Sequence, residues 1–217
     1  MLVAKGITKH YGSLQVLQGI DLTVAPGEVV AITGASGAGK STLLHILATL
    51  DKPDRGVLQL NDTDLLALRG SQLAAFRNRS IGFVFQLYNL LPEFTTLENV
   101  CMPGYIGGQD RKKVEARGKE LLALLGLAER SEHQPATLSG GEQQRAAVAR
   151  ALINSPQVVF ADEPSGNLDA QNAAALHALF FELRDKLDQT FVLATHDPTL
   201  AAMADRELLL QAGKLLT

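Results

Sequence analysis

One glycine-rich segment has the residue types and the spacing that hold a nucleotide's phosphates. Residues 34–41 fit the pattern G-x-x-x-x-G-K-[ST], between an apolar run and a helical pattern. Glycines let successive backbone N–H groups face a phosphate, and a helix N-terminus adds unpaired donors. Lys40 is predicted to reach the β and γ phosphates, and Ser41 to place its hydroxyl on Mg²⁺. The predicted phosphate-binding residues are Gly34, Ala35, Ser36, Gly37, Ala38, Gly39, Lys40, Ser41 and Thr42.

Two carboxylates follow directly on an apolar run later in the chain. Residues 158–161 are Val-Val-Phe-Ala, and Asp162 and Glu163 come next. Ligands bind at the carboxyl ends of the strands in a parallel sheet, and neighbouring strand residues point to opposite sides. One acid can therefore hold Mg²⁺ while the other polarises an attacking water. Acids after a strand also cap helices, and for the pair alone that alternative stays open.

A pair of glycines opens another helical pattern. Residues 138–145 read Leu-Ser-Gly-Gly-Glu-Gln-Gln-Arg, in which Ser139 and Glu142 form a capping box. The box accounts for the start of a helix but not for Gly140 and Gly141, each of which costs about 1 kcal/mol against alanine in a helix. A phosphate that approaches the backbone closely would explain them. The segment has no lysine, so we expect half of a site that another chain completes.

Short apolar runs alternate with helical patterns along the chain, which predicts an α/β architecture with a largely parallel sheet. The predicted strands are 2–7, 29–33, 57–60, 81–85, 158–161 and 191–195, and the predicted helices are 41–50, 110–126, 142–154 and 170–187. Residues 86–155 contain no convincing strand and predict an inserted helical subdomain. The breakers that frame it are Pro92, Pro103, Gly104, Gly107, Gly108, Pro135, Gly140, Gly141 and Pro156.

The length, composition and charge of the chain exclude several classes of protein. The chain has 217 residues, 46% hydrophobic and 20% charged, with a net charge of -3 and Cys101 as its single cysteine. A chain of this length buries a sufficient core without disulfides or a structural metal. It has no run of basic residues, which argues against nucleic acid as a partner. With neither a signal segment nor an apolar run that could span a bilayer, we expect a cytoplasmic protein whose membrane role depends on a partner.

Taken together, these motifs resemble those of the ATP-binding subunits of ABC transporters, and the resemblance covers essentially the whole chain. Residues 34–41 match the Walker A motif, 158–163 match Walker B, and 138–145 match the signature motif, with Glu142 in its last position. Further matches follow in the family's order: Tyr11 as the A-loop aromatic residue, Gln86 as the Q-loop, residues 165–169 as the D-loop and His196 as the switch histidine.

The resemblance implies a fold and an assembly. The fold is α/β, a P-loop NTPase (RecA-like) core with an antiparallel β edge and an inserted α-helical subdomain. The implied core spans residues 1–86 and 156–217, and the signature subdomain spans 87–155, all within one ATP-binding domain. The assembly is a dimer of two copies with two ATP molecules at the interface, where Ser139, Gly140 and Gly141 of one copy face the phosphate loop of the other.

The resemblance also implies roles for individual residues. Glu163 becomes the general base or water-orienting group, and His196 contacts the γ-phosphate. Mg²⁺ is held by Ser41, Asp162 and Gln86, and Gln86 also links the metal to a transmembrane permease. Tyr11 stacks on adenine, with Val16 packing nearby.

The residues of two segments indicate which branch of the family the chain resembles. The D-loop reads Ser-Gly-Asn-Leu-Asp, which is similar to a branch with lipoprotein-release, macrolide-export and cell-division ATPases. Within that branch, residues 90–103 are most similar to the lipoprotein-releasing members. We therefore expect an ATPase on the cytoplasmic face of a bacterial inner membrane that powers lipoprotein release, with drug export or cell division as the alternative. The candidate permease contacts are Phe85, Leu87, Tyr88, Leu90, Leu91 and Phe94; alternatively, these side chains only pack the subdomain.

Overall fold

Two β-sheets form the frame of the structure, a computed structural model that describes residues 1–216. Thr217, the last residue of the predicted core range, lies outside the described residues. The strands are β1 (Leu2–Tyr11), β2 (Leu14–Val24), β3 (Val29–Thr33), β4 (Arg55–Leu60), β5 (Thr63–Asp64), β6 (Ile81–Val84), β7 (Val158–Asp162), β8 (Phe191–Ala194), β9 (Arg206–Gln211) and β10 (Lys214–Leu216).

The larger sheet has the order β10-β9-β3-β8-β7-β6, and its strands are parallel except at β10, which pairs antiparallel with β9. The smaller sheet has the order β2-β1-β4-β5 and is antiparallel. Every residue of β3 and β8 is buried, and so is every residue of β7 except Asp162. Strands covered on both faces need apolar side chains throughout, which explains the continuous apolar runs. The predicted α/β architecture is confirmed.

Helices cover both faces of the larger sheet. They are α1 (Lys40–Leu47), α2 (Gly70–Ser80), α3 (Thr96–Ile106), α4 (Arg111–Leu124), α5 (Gly140–Leu152), α6 (Ala170–Leu187) and α7 (Pro198–Met203), with short 3₁₀ turns at Ala128–Arg130 and Pro135–Thr137. One buried cluster joins α1 to both sheets, and a second joins α3, α4, α5 and α6 to the other face of the larger sheet. No helix among residues 1–216 is both long and apolar enough to cross a bilayer.

Residues 87–155 contain helices and no strand, as predicted. The prediction that Pro103 and Gly104 break this segment is wrong, because both lie inside α3. The Pro103 carbonyl accepts hydrogen bonds from the Gly107 N–H and from Asn78 Nδ2. A Cβ on Gly104 would lie 2.7 Å from a methyl carbon of Val114. Glycine is needed here because α3 and α4 pack closely, not because a helix ends.

Most predicted elements exist, with ends that differ by a few residues. Helix α1 stops at Leu47 rather than residue 50, because Thr49 has a left-handed backbone with φ 60°. Helix α5 starts at Gly140 rather than 142, because its cap is Ser139, and it stops at Leu152 rather than 154. The unpredicted elements are β2, β5, β9, β10, α2, α3 and α7. Strands β2 and β9 alternate buried and exposed residues, and that pattern is weak beside the continuous runs of the central strands.

Candidate nucleotide and catalytic site

A cavity of about 710 Å³ lies at the carboxyl ends of the parallel strands and contains most of the predicted site residues. It is lined by Tyr11, Val16, Gly34, Ala35, Ser36, Gly37, Gly39, Lys40, Ser41, Thr42, Gln86, Glu163 and His196. Tertiary structure thus joins six separate stretches of sequence at one place. Of the other predicted residues, Ala38 packs against the core, Asp162 meets the cavity through Ser41, and residues 139–141 do not line it.

The loop after β3 wraps its backbone around one side of this cavity. Gly34, Gly37 and Gly39 have φ values of 147°, 77° and 103°, a region that side chains rarely adopt. A Cβ on Gly34 would overlap the Leu210 carbonyl oxygen on the neighbouring β9. Gly39 is the N-cap of α1 and provides no side-chain hydrogen bond to the helix. The first N–H groups of α1 are therefore left without a capping side chain, which favours an anion at this end.

Lys40 places a buried ammonium group at the floor of the loop. Its Nζ donates to the carbonyl oxygens of Gly34 at 2.8 Å and Ala35 at 3.4 Å, and it lies 3.5 Å from Glu163 Oε1. Only 8% of the residue is exposed. These three partners of the ammonium group are hydrogen-bond acceptors. A phosphate oxygen can therefore take the place of one of them, and the buried positive charge of Lys40 keeps its partners.

The predicted metal ligands Ser41 and Asp162 lie in direct contact. Ser41 Oγ donates to Asp162 Oδ1 at 3.0 Å, and burial raises the pKa of the Asp162 carboxyl while the bond from Ser41 opposes that shift. No cluster of three or more His, Cys, Asp or Glu side chains among residues 1–216 could form a metal cage. Mg²⁺ needs none, since it takes one or two protein oxygens and completes its shell with waters and phosphates. The residues present therefore fit Mg²⁺ together with a nucleotide.

Glu163 and His196 contact each other in the cavity. Glu163 Oε2 lies 2.8 Å from His196 Nδ1 and accepts the His196 N–H at 3.2 Å. The Glu163 backbone has φ 45°, and its N–H donates to the Ala194 carbonyl at 2.9 Å. A left-handed residue other than glycine costs on the order of 1–3 kcal/mol and persists only where its surroundings hold it. The carboxylate is thus aimed into the cavity by contacts to the β8 end and the His196 loop.

Tyr11 stands at the opposite rim of the cavity with about half of its surface exposed. Its hydroxyl donates to Asp51 Oδ2 at 2.7 Å, and that bond raises the pKa of the phenol. Lys9 Nζ lies 2.9 Å from Asp51 Oδ1 and 5.0 Å from the centre of the Tyr11 ring. Sequence reasoning missed Lys9 and Asp51, because nothing in the spacing of residues 9 and 51 links them. Together they hold the Tyr11 hydroxyl, and the half-exposed ring lines the cavity with Val16.

Gln86 connects the cavity to the exposed segment that follows it. Its side chain lines the cavity, and its carbonyl accepts Asn167 Nδ2 at 3.1 Å. The candidate permease contacts beyond it fall into two groups. Leu87, Leu91 and Phe94 are exposed. By contrast, Leu90 packs against the core, Tyr88 is half-buried, and the Phe85 ring contacts the Phe83 ring in a tilted arrangement with 4.4 Å between ring centres.

The helix that begins at Gly140 has a completed capping box. Glu142 N–H donates to Ser139 Oγ at 3.3 Å, and Ser139 N–H donates to Glu142 Oε2 at 2.8 Å. Arg130 Nε donates to Glu142 Oε1 at 2.9 Å, and this bond, with that from Ser139, lowers the pKa of Glu142 to about 2. The capping box predicted from sequence is confirmed.

Side chains of this same chain approach the two signature glycines. A Cβ on Gly140 would lie 2.9 Å from the Tyr88 hydroxyl, and one on Gly141 would lie 2.6 Å from Asn172 Oδ1. The sequence argument that only a phosphate can explain the glycines is therefore weaker, because side-chain ends of this same chain already lie close to both of them. Tyr88 and Asn172 were not expected near the glycines, since they are distant in sequence.

A second cavity of about 350 Å³ lies at the opposite end of the sheet. It is lined by Val158 and Thr190, at the amino ends of β7 and β8, and by Asn61 and Gln157, whose side chains hydrogen-bond to each other at 2.8 Å. Parallel sheets bind ligands at their carboxyl ends. The cavity around the phosphate loop is therefore the candidate site.

Comparison with known sequences identifies the family of these motifs. A family model described as ABC transporter matches residues 17–166. The lipoprotein-releasing system ATP-binding protein LolD of Cytophaga hutchinsonii is 56% identical over 216 residues, which cover 100% of this chain and 99% of that protein. LolD of Bacteroides fragilis is 54% identical, with 100% of both chains covered.

Solved structures agree with the sequence comparison. The dimeric ATP-binding cassette MJ0796 in a post-hydrolysis state, bound to ADP and Pi, has a TM-score of 0.90 at 35% identity, with 100% of this chain and 97% of that chain covered. A dimeric structure of MJ0796 described as a bacterial ABC transporter cassette has a TM-score of 0.91 at 36% identity, with the same coverage. The P-loop NTPase fold implied by the motifs is confirmed.

Proposed function

The chain belongs to the ABC transporter family, and we propose that it is the ATP-hydrolysing subunit of a membrane ABC transporter complex. The observation that carries the proposal is the cavity at the carboxyl ends of the strands. There an uncapped helix N-terminus and the Lys40 ammonium stand opposite the Glu163 carboxylate and the His196 ring. An anion site beside a carboxylate that can orient water is the arrangement that phosphate hydrolysis requires.

Binding follows from the charges that line the cavity. The N–H groups of residues 35–41 and the Lys40 ammonium hold the phosphates of ATP, because both are donors in a partly buried place. The half-exposed Tyr11 ring stacks on adenine, with Val16 beside it. Hard oxygen ligands from Ser41, Asp162 and Gln86 hold Mg²⁺, which neutralises phosphate charge when bound.

Glu163 and His196 have separate roles in hydrolysis. Glu163 orients and polarises the attacking water, since its carboxylate lines the cavity and lies 3.5 Å from Lys40 Nζ. His196 contacts the γ-phosphate, because its ring is largely exposed to the cavity while Nδ1 is held by Glu163. Charge that develops on the γ-phosphate is stabilised by Lys40 and the loop N–H groups.

A second copy of the chain completes the site in this proposal. Residues 139–141 lie outside the cavity, and Ser139 is exposed at the N-terminus of α5. In a dimer with two ATP molecules at its interface, these residues contact the γ-phosphate bound by the other copy. Loss of the γ-phosphate then removes contacts that only the closed dimer makes, so hydrolysis opens it. Dimeric structures of the related cassette MJ0796 support this assembly.

The complex that we propose releases lipoproteins from the inner membrane toward the outer membrane. The similarity to LolD proteins over the full length of the chain supports this choice. Permease subunits of the lipoprotein-release type contact the segment after Gln86, where Leu87, Leu91 and Phe94 are exposed. These contacts hold the chain at the cytoplasmic face of the membrane.

The chain also divides into two parts in this proposal. Residues 1–86 and 156–217 form the nucleotide-binding core, and residues 87–155 form the helical signature subdomain. Support comes from the helix-only content of that middle segment and from Gln86 at its start, which touches the cavity. A subdomain joined to the core at Gln86 can transmit a change in the nucleotide to the permease.

The catalytic assignment is tested with Glu163→Gln, which removes the charge and keeps the shape. We expect ATP affinity to stay within about twofold while turnover falls by about 10²–10⁴-fold, because general base catalysis contributes that much. We also expect an ATP-bound dimer to accumulate, visible by size-exclusion chromatography with light scattering. Glu132→Gln, at an exposed residue, is the control and should retain full turnover. Normal turnover by Glu163→Gln would disprove the role of Glu163.

The partner is tested by purification of the chain from native membranes in mild detergent, with mass spectrometry of the proteins that accompany it. Permeases of the lipoprotein-release type are the expected result. An export permease with a periplasmic adaptor, or a cell-division regulator, would instead support one of the alternative branches. The triple variant Leu87→Ser, Leu91→Ser, Phe94→Ser should lose the partner while retaining ATP binding.

A further inference from the structure

His177 is a buried histidine that none of the motifs includes. It lies on α6 with 2% of its surface exposed. Its Nε2 is 2.9 Å from Ser165 Oγ and 3.7 Å from Asp197 Oδ2, whereas its Nδ1 is buried without a hydrogen-bond partner among residues 1–216. Burial of a polar side chain costs free energy unless its hydrogen bonds are satisfied. Because His177 is buried and contacts two loops of the candidate active site, packing alone does not explain why a histidine is present here.

The surroundings determine which nitrogen carries the proton. Burial lowers the pKa of His177 although the Asp197 charge opposes the shift, so the ring is neutral at neutral pH. Asp197 is ionised, because hydrogen bonds from the Thr199 and Leu200 N–H groups outweigh burial and lower its pKa. A buried N–H without a partner costs about 1–3 kcal/mol. The proton is therefore on Nε2, where it faces the Ser165 hydroxyl oxygen and the Asp197 carboxylate.

These contacts connect the two loops that carry the catalytic pair. Ser165 is two residues after Glu163, and Asp197 directly follows His196. Glu163 and His196 meet at 2.8 Å in the cavity, while Ser165, His177 and Asp197 join the same loops behind it. Because Glu163 has a left-handed backbone, it depends on its neighbours to stay in place. A link two residues away is close enough to provide that support.

We propose that His177 is a positioning residue for ATP hydrolysis, which sets the separation of the Glu163 and His196 loops through its bond to Ser165. The inference rests on the proposed roles of Glu163 and His196. His177 does not touch the cavity, so it acts on the geometry of the chemical step and not on nucleotide binding. Its removal should lower kcat and leave KM for ATP unchanged.

The test compares two substitutions at residue 177 in the full chain with ATP and Mg²⁺. His177→Leu removes the donor, and we expect kcat to fall about tenfold with KM changed less than about twofold, since an interaction that acts in the transition state lowers kcat alone. His177→Gln keeps an N–H donor at a similar reach, and we expect kcat to return to within about threefold of the parent. The matched control is Phe180→Leu, at a fully buried apolar residue on the same helix, which should lower the melting temperature but not kcat.

A second variant examines the bond itself. Ser165→Ala should lower kcat about as much as His177→Leu, and the double variant should be no slower than either single variant, because residues that act through one contact are not additive. Additive losses, or a higher KM with unchanged kcat, would show that the two residues act separately and would overturn the proposal. Parent-like kcat in His177→Leu would also overturn it.

Glu163→Gln, measured in parallel, separates the two levels of inference. If Glu163→Gln is slow and His177→Leu is normal, the proposal for His177 fails and the proposed function stands. If Glu163→Gln turns over normally, the proposed function of Glu163 fails, whatever the result at His177.

Discussion

Helices α1 and α5 both have glycine at or next to their first residue, and their N-termini are capped in opposite ways. Helix α1 starts after Gly39, whose backbone is left-handed and which supplies no capping side chain. Helix α5 starts after Ser139, and its first turn is satisfied by a capping box that Arg130 reinforces. The donors of α1 remain open to a ligand beside the Lys40 ammonium. Those of α5 are largely satisfied by the chain's own side chains.

In the proposed function, this difference separates a phosphate site that one chain forms alone from a site that a second chain completes. The conformation of the phosphate loop excludes a side chain at residue 34, because a Cβ on Gly34 would overlap the Leu210 carbonyl oxygen. The signature glycines contact the ends of Tyr88 and Asn172, which can move aside. We therefore propose that the phosphate loop binds an anion without a second chain. The signature segment has an exposed Ser139 hydroxyl and a helix N-terminus, and we propose that these contribute when the other copy presents a phosphate.

The largest expected effect comes from Ser139→Arg at the signature end. A bulky cation at the exposed cap should prevent closure of the dimer, so turnover should fall by at least about 100-fold, as when a transition-state donor is lost. ATP binding to the monomer should stay near normal, because Ser139 does not line the cavity. Turnover and binding of a fluorescent ATP analogue measure the two effects. Normal turnover would show that the second site does not take part.

The next effect is on the phosphate-loop side. Lys40→Ala should weaken ATP binding by about 10- to 100-fold, since a hydrogen bond to a charged group contributes about 1.5–3 kcal/mol. Isothermal titration calorimetry gives the affinity directly. Lys186→Ala is the control, because Lys186 is half-exposed and, within residues 1–216, forms an ion pair with Glu182 alone. Equal affinities for Lys40→Ala and the parent would contradict the role of this ammonium.

A pair of glycine substitutions compares the two helix starts directly. Gly34→Ala should cost about 1–3 kcal/mol of folding free energy, because its positive φ and the Leu210 carbonyl both oppose a side chain. Gly140→Ala should cost less than about 1 kcal/mol, because the Tyr88 hydroxyl can swing away and alanine favours helix. Urea unfolding of both variants measures the difference. Equal losses would mean that the two turns are equally constrained.

The smallest effect depends on pH and concerns the cap of α5. The pKa of Glu142 is lowered to about 2 in the folded chain, against about 4.3 in an unfolded one. Its contribution to stability is therefore fully present above about pH 4.3 and is lost as the pH falls through 2. Glu142→Gln should lower the melting temperature by a few degrees at pH 7, and the difference from the parent should shrink below about pH 4.3.

Glu98→Gln is the matched control for that experiment, because Thr95 and Glu98 form the same capping box at α3 without an arginine. It should lower the melting temperature at pH 7 less than Glu142→Gln does, because it leaves the bond between Arg130 and Glu142 in place. A difference that does not change with pH in Glu142→Gln would contradict the assigned pKa.

Much of the site was predictable because its motifs consist of residues that are neighbours in the sequence. The phosphate loop, the acids after β7 and the capping box each depend on local spacing, and the structure has the geometry expected of each. The central strands were predictable for the same reason, since burial on both faces requires continuous apolar runs. Gln86, Tyr11 and His196 are single residues of common types. Their place in the site came from the order of motifs in the family resemblance, not from any local pattern.

Other features depended on contacts between distant residues. From sequence alone, Pro103 and Gly104 predict the end of a helix. In the structure both lie inside α3, which packs closely on α4. The alternating strands β2 and β9 carry too weak a local signal to be assigned. Asp51 supports Tyr11 across 40 residues, and His177 meets Ser165 and Asp197 from a helix that reads only as amphipathic.

The sequence by itself indicated the phosphate-loop motif, the capping box at the start of α5, and which central strands are buried. These properties follow from backbone conformations and hydrogen bonds within a few residues of each other. Tertiary structure alone decided that six separate stretches line one cavity, that Tyr88 and Asn172 lie close to the signature glycines, and that His177 contacts both Ser165 and Asp197. The reason is physical: such contacts depend on how the sheet and its helices pack, and residue spacing along the chain carries no record of that packing.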